Sequence, residues 1–254
     1  MTQLTTRKIL LFTILFLVLF QAASYCEKYS FAVFGDNRDG NQIFTALIKT
    51  MNDDRSIKFA VNTGDLTSGG TEVQYKNYWK MCGAARVPVH DTLGNHDIGF
   101  LGAGRALFKE KYGQTYYSFE YGGCRFIIID NTNGRKFDRK QYLWIKEQLG
   151  TDEPVFVFMH KPLFDVTGNY PNYIMTPKGD AEALEKLLKK SNVKYVFAGH
   201  IHGYGREELD GITYIITAGA GAPLYLPAFN GGYYHYVKVT VSGGKISDEV
   251  VRIK

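Results

Sequence analysis

This chain of 254 residues has few cysteines, one long apolar run and only a small excess of positive charge. Three cysteines are an odd number and too few for a disulfide framework. A formal net charge of +5 is too small to indicate nucleic acid or an anionic membrane surface as a partner. Only one long apolar run is present, which excludes a multi-span membrane protein. The rest of the composition, 45% hydrophobic and 22% charged, is that of a globular protein with a full core.

The one long apolar run lies near the N-terminus, over residues 9–20, where eleven of twelve residues are apolar. Arg7 and Lys8 precede it and small residues follow it, a pattern typical of a secretory signal peptide. The run is shorter than the ~20 residues that a membrane-spanning helix needs. We therefore expect residues 1–24 to be a signal peptide, cleaved or kept as an N-terminal anchor. The protein would then be secreted, periplasmic or extracellular, with a membrane as partner only if the segment is uncleaved.

Export would place Cys26, Cys82 and Cys124 in an oxidising compartment. Such a compartment would allow a Cys82–Cys124 disulfide, and one thiol would be left over. Cys26 lies close to the expected cleavage site, but Tyr25 stands before it, where lipoprotein sites have a small residue. The sequence leaves the disulfide open and does not favour lipidation.

Residues 25–254 are predicted to form one domain, because no linker, charge block or repeat interrupts the sequence after residue 28. Six short apolar runs each end in Asp, Asn or His, directly or after a glycine. Runs of this length that are apolar at consecutive positions indicate strands buried on both faces. The runs cover residues 29–34, 57–61, 87–93, 126–129, 155–159 and 193–198.

Helical patterns lie between several of these runs, at residues 43–51, 142–149 and 183–188. Asp138 is a candidate N-cap of the second helix, with Gln141 at the N3 position. After residue 204, the segments 206–209, 212–218, 233–241 and 245–253 look like strands joined by glycine-containing turns. Strand–helix alternation followed by a meander predicts an α/β fold with two mixed sheets packed face to face and helices outside.

The polar residues at the ends of the strand runs are candidate ligands. One carboxylate after a strand is more often a turn residue or a helix cap. Here, however, ligand-type residues closely follow five of the six runs. In α/β folds such residues converge in a crevice beyond the carboxyl ends of the strands. The set consists of Asp36, Asp65, Asn95, His160, His200 and His202.

These residues offer oxygen and imidazole donors without a cysteine, which argues against a thiolate zinc site. Mixed oxygen and nitrogen donors suit Mn, Fe, Zn or Co in an open catalytic site. Six groups exceed what one open site uses, so the set predicts two divalent or trivalent metal ions that share a bridging carboxylate. Two such ions can hold a phosphate ester and activate a water between them.

Five short motifs resemble, in this order, the calcineurin-like metallophosphoesterase family, which includes purple acid phosphatases and phosphodiesterases. The motifs are Gly35-Asp36, Gly64-Asp65, Gly94-Asn95-His96-Asp97, Met159-His160 and Gly199-His200-Ile201-His202. The resemblance covers about residues 29–204 and implies a four-layer α/β/β/α sandwich.

The same resemblance implies a role for each candidate residue. Asp65 would bridge the two metals, with Asp36 and His202 completing the first site and Asn95, His160 and His200 the second. His96 would be the general acid beside the leaving group, and Asp97 would orient it.

Position 38 departs from the family pattern, in which many members have a histidine two residues after the first aspartate. Arg38 cannot replace that ligand because a guanidinium keeps its proton. Purple acid phosphatases have a tyrosine three residues after the second aspartate, and Ser68 stands there in this chain. The first site would then have three protein ligands. Arg38 would either bind a phosphate oxygen or pair with Asp39 at the surface, and the sequence leaves both open.

The expected function is hydrolysis of small phosphomonoesters or phosphodiesters by attack of a metal-bridging hydroxide. The alternative is a metal-binding recognition module of the same fold with impaired chemistry. The absent histidine at position 38 favours that alternative, whereas the retention of His96 and Asp97 opposes it. Tyr225 and Phe229, among other late aromatics, would either stack on an organic leaving group or pack in the core. The sequence carries no nucleic-acid-binding signature and does not specify the oligomeric state.

Overall fold

The structure is a computed structural model that describes residues 28–132 and 137–254. The expected signal peptide and Cys26 lie outside these residues. The strands are β1 (Tyr29–Phe34), β2 (Ile57–Asn62), β3 (Val89–Asp91), β4 (Tyr117–Tyr121), β5 (Cys124–Ile128), β6 (Val155–Phe158), β7 (Val193–Ala198), β8 (Tyr204–Leu209), β9 (Ile212–Thr217), β10 (His235–Ser242) and β11 (Lys245–Arg252). The α-helices are α1 (Asn41–Asp53), α2 (Glu72–Cys82), α3 (Ala103–Tyr112), α4 (Arg139–Gln148) and α5 (Lys178–Leu188).

The strands form two mixed sheets. The first has the order β11-β10-β1-β2-β3, and the second has the order β4-β5-β6-β7-β9-β8. Neighbouring strands are parallel from β1 to β3 and from β5 through β6 and β7 to β9. Antiparallel strands complete both sheets, with β10 and β11 beside β1, β4 beside β5, and β8 beside β9. The predicted pair of mixed sheets is confirmed.

Strand β1 shows why the sheets pack into four layers. All six of its residues are buried, as the sequence predicted. Phe31 and Val33 pack in the core between the two sheets, together with residues of β5, β6 and β7. Ala32 and Phe34 point the other way, into the core beneath α1, α2 and α3. Since successive side chains of a strand alternate between faces, one apolar run serves both cores.

The helices cover the two outer faces. Helix α1 packs Phe44, Leu47, Ile48 and Met51, one side of its surface, against the first sheet. Helices α4 and α5 cover the second sheet through side chains such as Ile145. The α/β/β/α layering is therefore confirmed. None of the helices in the described ranges is long and apolar enough to cross a membrane.

Helix α4 begins where the sequence predicted. Asp138 is its N-cap and accepts a hydrogen bond from the Lys140 amide. Gln141 lies at the N3 position as predicted, and its side chain exchanges two 2.8 Å hydrogen bonds with the backbone of Asp130. The buried Gln141 side chain thus connects the helix to the segment that follows β5.

The Cys82–Cys124 disulfide that the sequence allowed is not formed. Cys82 ends α2 and packs against the core under the first sheet. Cys124 begins β5 and lies in the core between the sheets. The two residues belong to different layers of the sandwich, which keeps them apart.

Candidate functional site

The loops after β1, β2, β3, β6 and β7 meet at one end of the sandwich. Both carboxylate oxygens of Asp36 lie 3.1 Å from the backbone nitrogen of His200. Asp65 Oδ1 accepts a 2.9 Å hydrogen bond from the backbone of His96. His202 Nε2 lies 3.4 Å from Asp36 Oδ1, and His160 Nε2 lies 3.3 Å from Asp65 Oδ1. The predicted convergence at the strand ends is therefore present.

Three of the candidate ligands have unusual backbone conformations. Asp36, Asp65 and His200 have φ angles of 61°, 54° and 72°, in the left-handed region that non-glycine residues rarely adopt. Strained backbone of this kind clusters at functional sites, where the surrounding structure holds it in place. A Cβ atom at Gly94 would collide with the carboxylate of Asp65, and one at Gly199 with that of Asp36. The glycines of these motifs thus allow the loops to approach closely.

His160 is oriented by a backbone carbonyl. Its Nδ1 lies 3.0 Å from the oxygen of Thr63, and a carbonyl only accepts, so the ring proton belongs on Nδ1. The lone pair on Nε2 then faces Asn95 Oδ1 at 2.9 Å and His200 Nδ1 at 3.1 Å. Burial lowers the pKa of His160 to about 4, which keeps the ring neutral. This is the tautomer and protonation state of a metal-binding histidine.

His202 has the same arrangement on the other side. Its Nδ1 donates to the Pro223 carbonyl at 2.7 Å, which directs Nε2 toward the Asp36 carboxylate. Burial opposes a charge on this ring, but the hydrogen bond to Asp36 and its charge raise the pKa of His202 overall. A proton on His202 Nε2 is therefore stabilised by the neighbouring Asp36 carboxylate. A metal ion takes the place of such a proton when it binds.

These residues fit metal ions. Ligand atoms of Asp36, Asp65 and His160 all lie within 4.8 Å of one another, and all three residues are buried. The lone pair of His160 Nε2 faces two oxygens that can only accept hydrogen bonds, Asn95 Oδ1 and Asp65 Oδ1. A buried group of this kind is costly unless a cation lies among its members. Burial accordingly raises the pKa of Asp65, although the neighbouring cationic groups oppose the shift.

Arg38 and His96 lie together at the edge of this cluster. Arg38 Nη2 lies 2.9 Å from His96 Nδ1, and the backbone N–H of Arg38 donates to the Asp65 carbonyl. The Nε atom of Arg38 is buried and has no hydrogen-bond partner. Of the two possibilities open at the sequence level, the ion pair with Asp39 is not among those formed in the described part of the chain. The guanidinium instead turns toward the site.

Asp97 does not make the expected contact with the His96 ring. Its two oxygens accept hydrogen bonds from the backbone of Leu66, Thr67 and Gly94 and from the Thr67 hydroxyl, at 2.8–3.0 Å. Burial and the nearby Asp65 carboxylate raise the pKa of Asp97 to about 7, and the hydrogen bonds from the Gly94 and Leu66 backbone and the Thr67 hydroxyl oppose the shift. The role assigned to Asp97 is corrected accordingly: its carboxylate ties together the loops after β2 and β3.

Three residues that the sequence did not single out as ligands or catalytic groups also border the site. Lys161 follows His160, and burial lowers the pKa of its ammonium while the Asp65 carboxylate opposes the shift. Tyr225 stacks on the His202 ring at a centroid distance of 4.0 Å, and Tyr173 lies 5.8 Å from the His200 ring. A cation next to a motif histidine was the available signal for Lys161. Tyr173 had none, because only the fold brings its loop to the site.

Comparison with known proteins agrees with this geometry. Purple acid phosphatase 23 of Arabidopsis thaliana is 28% identical over 172 residues, which is 61% of this chain and 36% of that protein. A probable cyclic nucleotide phosphodiesterase of Fibrobacter succinogenes is 26% identical over 168 residues, 64% of each protein. The chain thus spans less than two thirds of the length of these relatives.

Among solved structures, a purple acid phosphatase from yellow lupin (Lupinus luteus) seeds superposes with a TM-score of 0.70 and 20% identity. The match covers 89% of this chain and 51% of that one, and it concerns the fold. The family model for calcineurin-like phosphoesterases matches residues 29–204. With the motifs, the fold and the cluster of buried donors in agreement, this chain belongs to the calcineurin-like phosphoesterase family.

Proposed function

We propose that this protein hydrolyses phosphomonoesters or phosphodiesters with two metal ions held at the strand ends. The observation that carries the proposal is the set of lone pairs that face one another around His160 Nε2. The residues that would hold the ions are Asp36, Asp65, Asn95, His160, His200 and His202. When bound, the ions would supply Lewis-acid polarisation of the phosphoryl group and activation of water.

The surrounding residues would bind and orient the ester. The buried Nε of Arg38, which lacks a partner, and the ammonium of Lys161 provide donors and positive charge for phosphate oxygens. His96 is 36% exposed at its side chain, and its Nε2 lies 4.0 Å from Asp65 Oδ2. A partly exposed imidazole at this edge is placed to give a proton to a leaving oxygen. His160 and His202 stay fixed through their carbonyl partners.

Asp65→Asn tests the proposal with little change of shape. Asparagine tolerates the left-handed backbone at position 65 better than alanine, so loss of function would report the carboxylate. Asp210→Asn is the matched control, because Asp210 also has a positive φ, of 53°, and lies in the turn between β8 and β9.

Turnover of p-nitrophenyl phosphate and of its bis-ester is measured with added Mn²⁺, before and after chelation. We expect Asp65→Asn to abolish turnover and Asp210→Asn to keep it. The ratio of the two substrates separates monoesterase from diesterase activity. Metal binding without turnover in the wild type would instead favour the recognition module, and metal-independent turnover would contradict the proposal.

We also propose export of the protein, on the basis of the basic and apolar pattern of residues 1–24. N-terminal sequencing of the protein recovered from its native cells tests this. A mature start near residue 25 in an extracytoplasmic fraction supports export. An intact N-terminus in the cytosol contradicts it.

A further inference from the structure

We propose that the corner between Tyr173 and Tyr225 binds a planar aromatic ring carried by the leaving group, so that the preferred substrates are aromatic phosphate esters. This inference rests on the proposed function and adds the substrate class. It concerns a surface beside the metal-binding cluster that no motif of the family includes.

Each of the two tyrosines packs against a candidate metal ligand. Tyr225 stacks on the His202 ring with an interplanar angle of 20°, and its amide donates to the His202 carbonyl at 2.9 Å. Tyr173 packs against the His200 ring at 5.8 Å. The His202 ring faces the Asp36 carboxylate, and the His200 ring faces His160 Nε2 in the same cluster. A ligand whose phosphate lies on the cluster would therefore have these rings next to its leaving group.

The rings form a corner and not a flat patch. Their centroids lie 6.1 Å apart, with an interplanar angle of 76°. A flat ring that stacks on one tyrosine would present its edge to the other, and both arrangements are favourable for aromatic pairs. A flexible alkyl group would match neither direction as well.

Both rings keep an accessible surface, in contrast to the aromatic side chains of the two cores. Tyr173 is 45% exposed and Tyr225 is 38% exposed. Tyr225 stacks on His202, whose Nε2 faces the Asp36 carboxylate, so this side chain lies beside the groups that would hold the metal ions. An aromatic surface beside a phosphate-binding end is what an aromatic ester requires.

The corner is held rigidly from behind. Tyr170 packs against both rings, at 5.4 Å from Tyr173 and 5.7 Å from Tyr225, and its hydroxyl donates to the Tyr225 carbonyl at 3.0 Å. Asp165 accepts a 2.6 Å hydrogen bond from the Tyr170 amide and ties the loop to Thr167. Little side-chain entropy remains to be lost when a ligand binds, which favours affinity.

Phenylphosphonate and methylphosphonate test the corner, because they share the anionic end and differ only in the ring. Competitive inhibition by each is measured on the metal-loaded enzyme. In Tyr173→Ala we expect the inhibition constant of phenylphosphonate to rise about 3- to 10-fold, the usual range for loss of an aromatic contact. The constant for methylphosphonate should stay within about twofold. Tyr173→Phe, which keeps the ring, should behave like the wild type.

Tyr121→Ala is the control. Tyr121 is 37% exposed, and it pairs with Cys124 at the beginning of β5, the end of the sheet opposite the strand ends that carry the site. This variant should change neither constant. Equal changes for both phosphonates in Tyr173→Ala, or no change for either, would overturn the inference.

The experiment also separates this inference from the proposed function. If the wild type hydrolyses no phosphate ester, the proposed function fails. Calorimetric binding of the same two phosphonates to the metal-loaded protein then still tests the corner. Selective loss of phenylphosphonate binding in Tyr173→Ala supports it, and retained binding contradicts it.

Discussion

Nδ1 of His96 lies 2.9 Å from Nη2 of Arg38 and 3.0 Å from the Ser68 carbonyl oxygen. One ring nitrogen cannot accept from the guanidinium and donate to the carbonyl at the same time. When Arg38 donates, the proton of the neutral ring must be on Nε2. Arg38 thus favours the tautomer with the proton on Nε2, the side of the ring facing Asp65, whereas the Ser68 carbonyl favours the one with the proton on Nδ1. This pairing gives His96 an orienting partner in place of Asp97.

His96→Ala should lower kcat far more than it raises KM, because a general acid acts in the transition state. General-acid catalysis contributes ~10²–10⁴-fold, and more for poor leaving groups. p-Nitrophenolate leaves without a proton, whereas an alkoxide does not. We therefore expect a small loss for the nitrophenyl ester and a large one for an alkyl ester, measured by steady-state kinetics. Arg38→Ala should cost both substrates through the lost phosphate contact, and the alkyl ester more, because Arg38 also contacts His96. Equal losses for the two substrates in His96→Ala would make His96 a phosphate-positioning residue.

Metal content should reveal two unequal sites. One position has four candidate ligands, which are Asp65, Asn95, His160 and His200, whereas the other has three, which are Asp36, His202 and the shared Asp65. Because the position at Asp36 and His202 has fewer protein ligands, it should bind its metal ion more weakly. After dialysis we expect one tightly held ion by elemental analysis, with full activity restored by Mn²⁺. Two ions of equal affinity in a metal titration would indicate a further ligand near Asp36.

Asp97→Asn should lower the free energy of unfolding, with a smaller effect on the kcat of the folded molecules. The new amide group would face backbone N–H donors of the loops at Leu66, Thr67 or Gly94, and buried donors without acceptors are costly. We expect the free energy of unfolding to fall by about 2–3 kcal/mol in urea denaturation at pH 8. Asp65→Asn is the comparison and should unfold nearly as the wild type. Unchanged stability with reduced kcat would restore a catalytic role to Asp97.

Asp91 should make stability depend on pH. The residue is fully buried and accepts hydrogen bonds from the hydroxyls of Tyr78 and Tyr112. Burial raises its pKa from 3.8 to about 6, although these hydrogen bonds oppose the shift. The folded protein therefore keeps a proton that the unfolded chain loses between about pH 4 and pH 6. The free energy of unfolding should fall as pH rises through that window, by at most about 3 kcal/mol from this group.

Asp91→Asn removes the titration and keeps an acceptor for the tyrosines. Urea unfolding of both proteins at several pH values from 4 to 7 measures the difference. The gap between the wild type and Asp91→Asn should shift steadily in favour of the variant as pH rises. Parallel curves would show that Asp91 does not titrate in this range.

Local signals in the sequence predicted much of this structure. The apolar runs of β1, β2, β6 and β7 lie where expected, because strands buried on both faces need consecutive apolar residues. Within the apolar run at 87–93, only the three residues of β3 form a strand, because only these residues pair with β2. Helix α2 was missed, although Thr71 and Gln74 form a capping box that the sequence displays.

The site was predicted as a set of residues but not as a set of contacts. Glycine–aspartate and glycine–histidine pairs at strand ends predicted which side chains meet. The partners of Asp97, the direction of Arg38 and the position of Tyr173 depend on loops that come together only in the folded chain. Periodicity and spacing carry no information about such contacts.

The pairing of β1 with β10 has a consequence for how the molecule is made. The hydroxyls of Ser30 and Thr240 hydrogen-bond at 2.9 Å across 210 positions of the chain. Strand β1 thus obtains its antiparallel neighbour only after β10 has been synthesised. Contacts between such distant segments slow folding, and an open strand edge attracts other chains in the meantime. The β10–β11 hairpin covers this edge of β1, so a chain that still lacks the hairpin exposes it.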